Sequence, residues 1–188
     1  MRVILASKSP RRRELLSKLF SDFEIIVSDA DESLPDGHTP PECAEIIAAR
    51  KGAAVAVDLP DDALVISSDT MVEEGGVILG KPTSASDAYR MLSMLSGKRH
   101  NVHTGVAVFY KGRVFSGVDT TRVEFYELTD AQINEYIATG EPMDKAGAYG
   151  IQGLGGALVR GYEGNFDTVV GLSLDLTERL VKEALKND

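Results

Sequence analysis

The chain has 188 residues, of which 43% are hydrophobic and 26% charged, the composition of an ordinary water-soluble globular protein able to bury a core without staples. Its single cysteine, Cys43, excludes an intramolecular disulfide and a cysteine-based zinc site and fits a reducing cytoplasm. A net charge of −9 argues against a nucleic-acid binder, which needs a broad basic face, and no apolar run suits a membrane span or a signal peptide.

Val3, Ile4 and Leu5 predict a buried strand. Ser9 is a good N-cap and Pro10 fits the first helical position, ahead of a helix with Leu15, Leu16 and Leu19 on one face. Lys8, Arg11, Arg12 and Arg13 crowd this opening turn. A helix start offers free N–H groups and the positive end of its dipole, so the cations there point to a polyanion, the phosphates of a nucleotide above all. The three arginines cannot all face one way on a helix; two can meet an anion while the third is solvated. Screening beyond roughly 8 Å keeps this local cluster effective in an acidic protein.

Phe23, Ile25 and Val27 alternate as a strand, and the loop 28–36 that follows is rich in carboxylates, Glu32 among them. An Ala-rich helix is expected over about 42–57, opened by Thr39 or Pro40. A short apolar strand over 64–66 runs into Ser67, Ser68, Asp69 and Thr70, and a hairpin turns at Gly75-Gly76. Gly80-Lys81-Pro82 ends it. Ser84 with Asp87 reads as a capping box for the helix of Ala88, Met91, Leu92 and Leu95. Two long strands follow over 100–110 and 113–125, the first buried on both faces. Thr129 and Gln132 form a second capping box, for a helix that Gly140 ends. A Gly-rich run then carries Gln152, before a strand near 157–159 and a final helix over about 175–185.

Asp69, placed just past the end of a hydrophobic strand, stands where open α/β sheets bind ligands, and can hold a divalent metal or take a proton from water; it can equally cap the turn into the hairpin. Glu32 reads by itself as a solvated loop charge and gains interest only as a metal-holding partner of Asp69. Lys51 reads as a helix-surface lysine. Lys81, pinned between Gly80 and Pro82, suits a phosphate-binding cation. Gln152 can be a plain loop amide or can read the edge of a base, because glycines let backbone approach a ligand. His38, His100 and His103 show no metal spacing and receive no role. No P-loop and no dinucleotide fingerprint occurs, which argues against a P-loop ATPase and a typical dinucleotide dehydrogenase, and the sequence also lacks a Gly-x-Ser-x-Gly nucleophile elbow.

Leu5-Ala-Ser-Lys-Ser-Pro-Arg-Arg-Arg-Glu-Leu-Leu16, Ser68-Asp-Thr-Met-Val72, Gly80-Lys-Pro82, Leu95-Ser-Gly97, Glu141-Pro-Met-Asp-Lys-Ala-Gly-Ala-Tyr-Gly-Ile-Gln-Gly153 and Val169-Val-Gly-Leu172 together resemble the Maf family of nucleoside triphosphate pyrophosphatases, nearly end to end and in the same order. Ser173 departs from the family's usual Pro. The resemblance implies one domain over 1–188, of α/β class: a long mixed twisted sheet with flanking helices and two lobes around a central cleft, similar to the inosine-triphosphatase-like fold. It implies hydrolysis of a nucleoside triphosphate to the monophosphate and pyrophosphate with a divalent metal (Mg²⁺, Mn²⁺ or Co²⁺), and a cytoplasmic homodimer. Asp69 is then the proton acceptor, and Ser7, Arg12, Glu32, Lys51 and Lys81 line the pocket. Glu32 and Asp69 are the residues expected to hold the metal, with base and metal ligand as separate roles for Asp69. Arg11, Thr70 and Gln152 match the branch that takes dTTP and UTP. A non-catalytic nucleotide-binding regulator of cell division is the alternative.

Overall fold

A computed structural model describes residues 1–186. Seven strands form one sheet: β1 (Arg2–Leu5), β2 (Glu24–Ile25), β3 (Ala63–Glu74), β4 (Val77–Leu79), β5 (Arg99–Tyr110), β6 (Arg113–Phe125) and β7 (Val159–Glu163). Their order is β2-β1-β3-β5-β6-β7, with β4 paired to β3. The sheet is mixed: β1 runs parallel to β2 and β3, whereas β3–β4 and β6–β7 are antiparallel. Among the described residues six helices accompany it: α1 (Pro10–Leu16), α2 (Pro40–Ala56), α3 (Ala85–Leu95), α4 (Asp130–Ala138), α5 (Phe166–Val170) and α6 (Leu174–Leu185). Three short 3-10 segments lie between α4 and β7. The expected mixed sheet with flanking helices is therefore present. Among the described residues no helix is long and apolar enough to cross a membrane.

The chain divides into two compact units. The first comprises Met1–Thr70, Thr104–Asp119 and the chain from Gly171 onward. Ile4, Ala6, Val55, Ala63 and Val65 form a buried cluster there, flanked by Phe109. Ser9 caps α1 by accepting from the Arg12 N–H, as its sequence position predicts. The second unit comprises Met71–His103 and Thr120–Val170. Its core gathers Leu92 and Leu95 of α3, Ile133 and Tyr136 of α4, and Phe125 and Tyr149. The rings of His100, Phe125 and Tyr149 meet edge to face with centroids 4.7–5.4 Å apart.

Several local expectations are corrected. β3 does not stop at Ile66 but continues through Glu74, so Asp69 lies inside a strand rather than past its end. Along β3, β1 pairs with 63–66 and β4 with 72–74, and Asp69 lies on the stretch between those two registers. β2 keeps only Glu24–Ile25, both exposed, since little apolar surface there rewards a longer ladder. The last strand begins at Val159, after a 3-10 segment that occupies the expected start. Ser84 accepts from the Asp87 N–H, but the Asp87 carboxylate turns to the Thr83 N–H and to Arg90, so that box stays half closed. Thr129 and Gln132 form the full reciprocal box.

Candidate active site

Successive residues of a strand point to opposite faces, and β3 uses this alternation to supply two clusters from four consecutive residues. Ser67 and Asp69 share one face. The Ser67 hydroxyl donates to the Ala48 carbonyl of α2 at 2.7 Å, which fixes strand against helix. Two residues further along the strand and three along the helix, Asp69 meets Lys51: Nζ lies 2.6 Å from Oδ1. The same ammonium lies 3.2 Å from Glu32 Oε1. Lys51 is not the surface lysine that its type suggests. It occupies the buried stripe of α2 formed by Ala44, Ile47, Ala48 and Val55, and its side chain is only 10% exposed. Its spacing from Ile47 and Val55 is the faint sequence trace that separates it from its neighbour Arg50.

Arg50 has its own part. Its guanidinium donates to the Ser33 carbonyl at 2.9 Å, holding the acidic loop against α2. Asp31 accepts from the Ser33 N–H and hydroxyl, which hold its carboxyl below the ordinary value. Glu32, between these two anchored residues, stays largely exposed yet reaches Lys51. The loop charge is thus both solvated and partnered.

Ser68 and Thr70 face the other way. Ser68 Oγ donates to the Gly171 carbonyl at 2.8 Å. Arg12 Nε donates to that same carbonyl, also at 2.8 Å. The guanidinium further donates to Ser7 Oγ at 3.4 Å and to Thr70 Oγ1 at 3.3 Å, and the Thr70 hydroxyl pairs with that of Thr104 at 2.9 Å. Every one of these partners is neutral, and among the described residues Arg12 has no carboxylate within ion-pair distance. A guanidinium has five N–H groups, so donors and a full charge remain for an anion. Burial lowers the Arg12 guanidinium from its ordinary value; Asp69 opposes this, Arg11 adds to it and Glu32 opposes it. Ser7 also accepts from the Ser9 N–H, tying it to the start of α1. Because α1 has only seven residues, side chains rather than the dipole supply most of the positive potential.

The first unit thus gathers Ser7, Arg11, Arg12, Glu32, Lys51, Asp69 and Thr70, and the second carries Lys81 and Gln152. Lys81 is exposed beside Gly80, whose carbonyl accepts from the Gly147 N–H and so anchors that turn. Gln152 is half-buried ahead of a 3-10 segment. The part of the Gly171 carbonyl, which orients Arg12, escapes sequence reasoning because a backbone oxygen leaves no trace in residue type. Thr70 acts here as a hydrogen-bond partner of Arg12, a relationship that a base-selecting role does not predict.

Glu32 and Asp69 converge on one cation, the Lys51 ammonium, so the pair already favours positive charge. Two carboxylates that leave the remaining positions to phosphate oxygens and water suit Mg²⁺. Among the described residues no larger group of His, Cys, Asp or Glu is assembled for a metal.

Comparison with known proteins gives a match to the family described as Maf-like protein over residues 2–184. The dTTP/UTP pyrophosphatase of Moorella thermoacetica is 51% identical over 183 residues, covering 96% of this chain and 93% of that protein. The dTTP/UTP pyrophosphatase of Pelotomaculum thermopropionicum is 46% identical, covering 96% of this chain and 95% of its own. Among solved structures, the Ham1 protein of Staphylococcus aureus superposes with a TM-score of 0.53 at 17% identity, over 100% of this chain and 95% of that one. At that identity the likeness is one of fold.

Proposed function

Since this chain belongs to the Maf-like protein family, we propose that it hydrolyses dTTP and UTP to the monophosphate and pyrophosphate. Relatives near half identity over almost the whole chain bear that name. The observation that carries the reading is the division of labour along β3. Asp69 is held by a buried ammonium, and its neighbour Thr70 touches a half-buried guanidinium that, among the described residues, has no anionic partner.

The chemistry follows from this arrangement. Water attacks the α-phosphorus, and the bond from that phosphorus to the oxygen bridging to the β-phosphorus breaks. Asp69 orients the water and accepts its proton, Lys51 fixing Oδ1 so that Oδ2 is directed to the task. Arg12, with Lys51 and Lys81, stabilises the charge that develops on the departing pyrophosphate, and Ser7 adds a neutral donor. Glu32 and Asp69 would hold a divalent cation, which when bound offsets phosphate charge. Arg11, Thr70 and Gln152 select the base, Gln152 by reading a pyrimidine with an unsubstituted imide edge. A homodimer accompanies this reading, and a reducing cytoplasm agrees with the buried, free Cys43.

The test is a panel of canonical and modified triphosphates assayed for monophosphate and pyrophosphate, with Mg²⁺ and with chelator. dTTP and UTP should lead, CTP and the purines should be poor, and chelator should abolish turnover. A panel led by ATP or GTP overturns the substrate assignment. Tight dTTP binding with no pyrophosphate released would favour the non-catalytic regulator instead.

A further inference from the structure

We propose that Glu141 is a positioning residue for substrate choice: together with Tyr136 it clamps the loop 150–155 and so fixes where the Gln152 amide is presented to the base. The inference rests on the pyrimidine-triphosphate reading given above. Both side chains lie outside the loop, Tyr136 on α4 and Glu141 at the start of the 3-10 turn after Gly140.

The clamp is reciprocal. Glu141 Oε1 accepts from the Gly155 N–H at 2.9 Å and from the Tyr136 hydroxyl at 2.9 Å, and Oε2 accepts from the Leu154 N–H at 3.1 Å. The Tyr136 oxygen in turn accepts from the Gly150 N–H at 3.2 Å. The loop is therefore held at its first residue and at its last two, with Gln152 between. Lys145 fixes the clamp itself, Nζ donating to the Glu141 carbonyl at 2.6 Å. Burial would raise the Glu141 carboxyl, but the N–H groups of Gly155 and Leu154 and the Tyr136 hydroxyl outweigh it and hold it below its ordinary value. The closure leaves no room for a side chain at Gly155, where a Cβ would run into the Gly150 carbonyl and the Tyr136 hydroxyl.

Among the described residues the Gln152 side chain makes no hydrogen bond, so the loop that carries it sets where the amide is presented. An amide that discriminates one base edge from another must be held to within a fraction of an ångström, and supporting residues commonly supply that hold. Glu141 and Tyr136 are the side chains that supply it here.

The test compares steady-state kinetics on dTTP and CTP for the intact protein, Gln152→Ala, Glu141→Gln, Tyr136→Phe and the double variant Glu141→Gln with Gln152→Ala. Gln152→Ala should remove the preference for dTTP. Glu141→Gln and Tyr136→Phe should each reduce it by about ten- to a hundredfold, the loss lying in KM for dTTP rather than in kcat. The double variant should discriminate no worse than Gln152→Ala, since both changes act through one amide. Amide exchange at Gly150, Leu154 and Gly155 should quicken in the clamp variants. Tyr136→Phe, which deletes a single oxygen, decides the question if Glu141→Gln does not fold. An intact protein that does not turn over dTTP overturns the functional reading and this proposal with it. An intact protein that prefers dTTP, with the preference unchanged in both clamp variants or lost additively in the double, overturns this proposal alone.

Discussion

Lys51 and Asp69 form an ion pair at 2.6 Å with side chains only 10% and 13% exposed. A charge pair this enclosed behaves unlike one on the surface. Removing one partner strands the other in a medium that solvates it poorly, whereas the net contribution of the intact pair is modest.

Asp69→Asn should therefore fail in two ways. Turnover of dTTP should fall by more than the 10²–10³-fold typical of losing one preorganised donor, about the range expected for Lys81→Ala. Stability should fall by about 3 kcal/mol, the lower end for a broken buried pair, because Glu32 still partners Lys51. The double variant Asp69→Asn with Lys51→Met should recover part of that stability and none of the activity. Thermal unfolding and pyrophosphate release measure the two effects, and near-normal turnover in Asp69→Asn would remove Asp69 from the mechanism.

Gly171 permits a second prediction. Its φ of +129° lies where side chains are strongly disfavoured, and its carbonyl receives both Arg12 and Ser68. A Cβ there would also lie 3.5 Å from Arg12 Nε and from Thr70 Oγ1. Gly171→Ala should relax the backbone, turn the carbonyl away and leave Arg12 without its best acceptor. Turnover should fall about ten- to a hundredfold with little loss of secondary structure. Arg12→Lys should fall at least as far, since it keeps the charge but loses the planar fork. Full activity in Gly171→Ala would show that the carbonyl does not set the guanidinium.

His100 makes stability depend on pH. Burial pushes its pKa down from 6.5 to about 4, only partly opposed by Glu73, while Nε2 keeps a 2.8 Å bond with the Tyr149 hydroxyl. The unfolded chain therefore binds the proton first as pH falls. The contribution is fully present above about pH 6.5 and is lost on the way down to about pH 4, a difference on the order of 3 kcal/mol. Melting temperatures of the intact protein should decline across that window. His100→Phe should start lower, having lost the bond to Tyr149, and should decline less. Parallel declines would assign the acid sensitivity to other groups.

Much of this was legible in the chain. The opening strand, the Ser9 cap, the Gly75-Gly76 hairpin and the Thr129–Gln132 box are local signals, and local physics decides them. Lys51 was harder. α2 is rich in Ala, so its buried and exposed faces differ little in hydrophobicity, and residue type alone assigns a lysine to solvent. Sequence alone ends β3 early because Ser67, Ser68, Asp69 and Thr70 look like a polar turn; the strand carries them because each hydroxyl or carboxylate finds a partner in α1, α2, β5 or the segment before α6. The clamp on the 150–155 loop joins Tyr136 of α4 and Glu141 to the backbone of Gly150, Leu154 and Gly155, a geometry without sequence periodicity.

The alternation along β3 has a consequence for how this segment can change over generations. Inserting or deleting one residue between Ala63 and Ser68 would exchange the two faces, sending the aspartate toward the guanidinium and the threonine toward the ammonium. A substitution at one position touches one face, whereas a shift in spacing disables both halves of the chemistry together. The spacing of this stretch is thus as much a part of the chemistry as the side chains it carries.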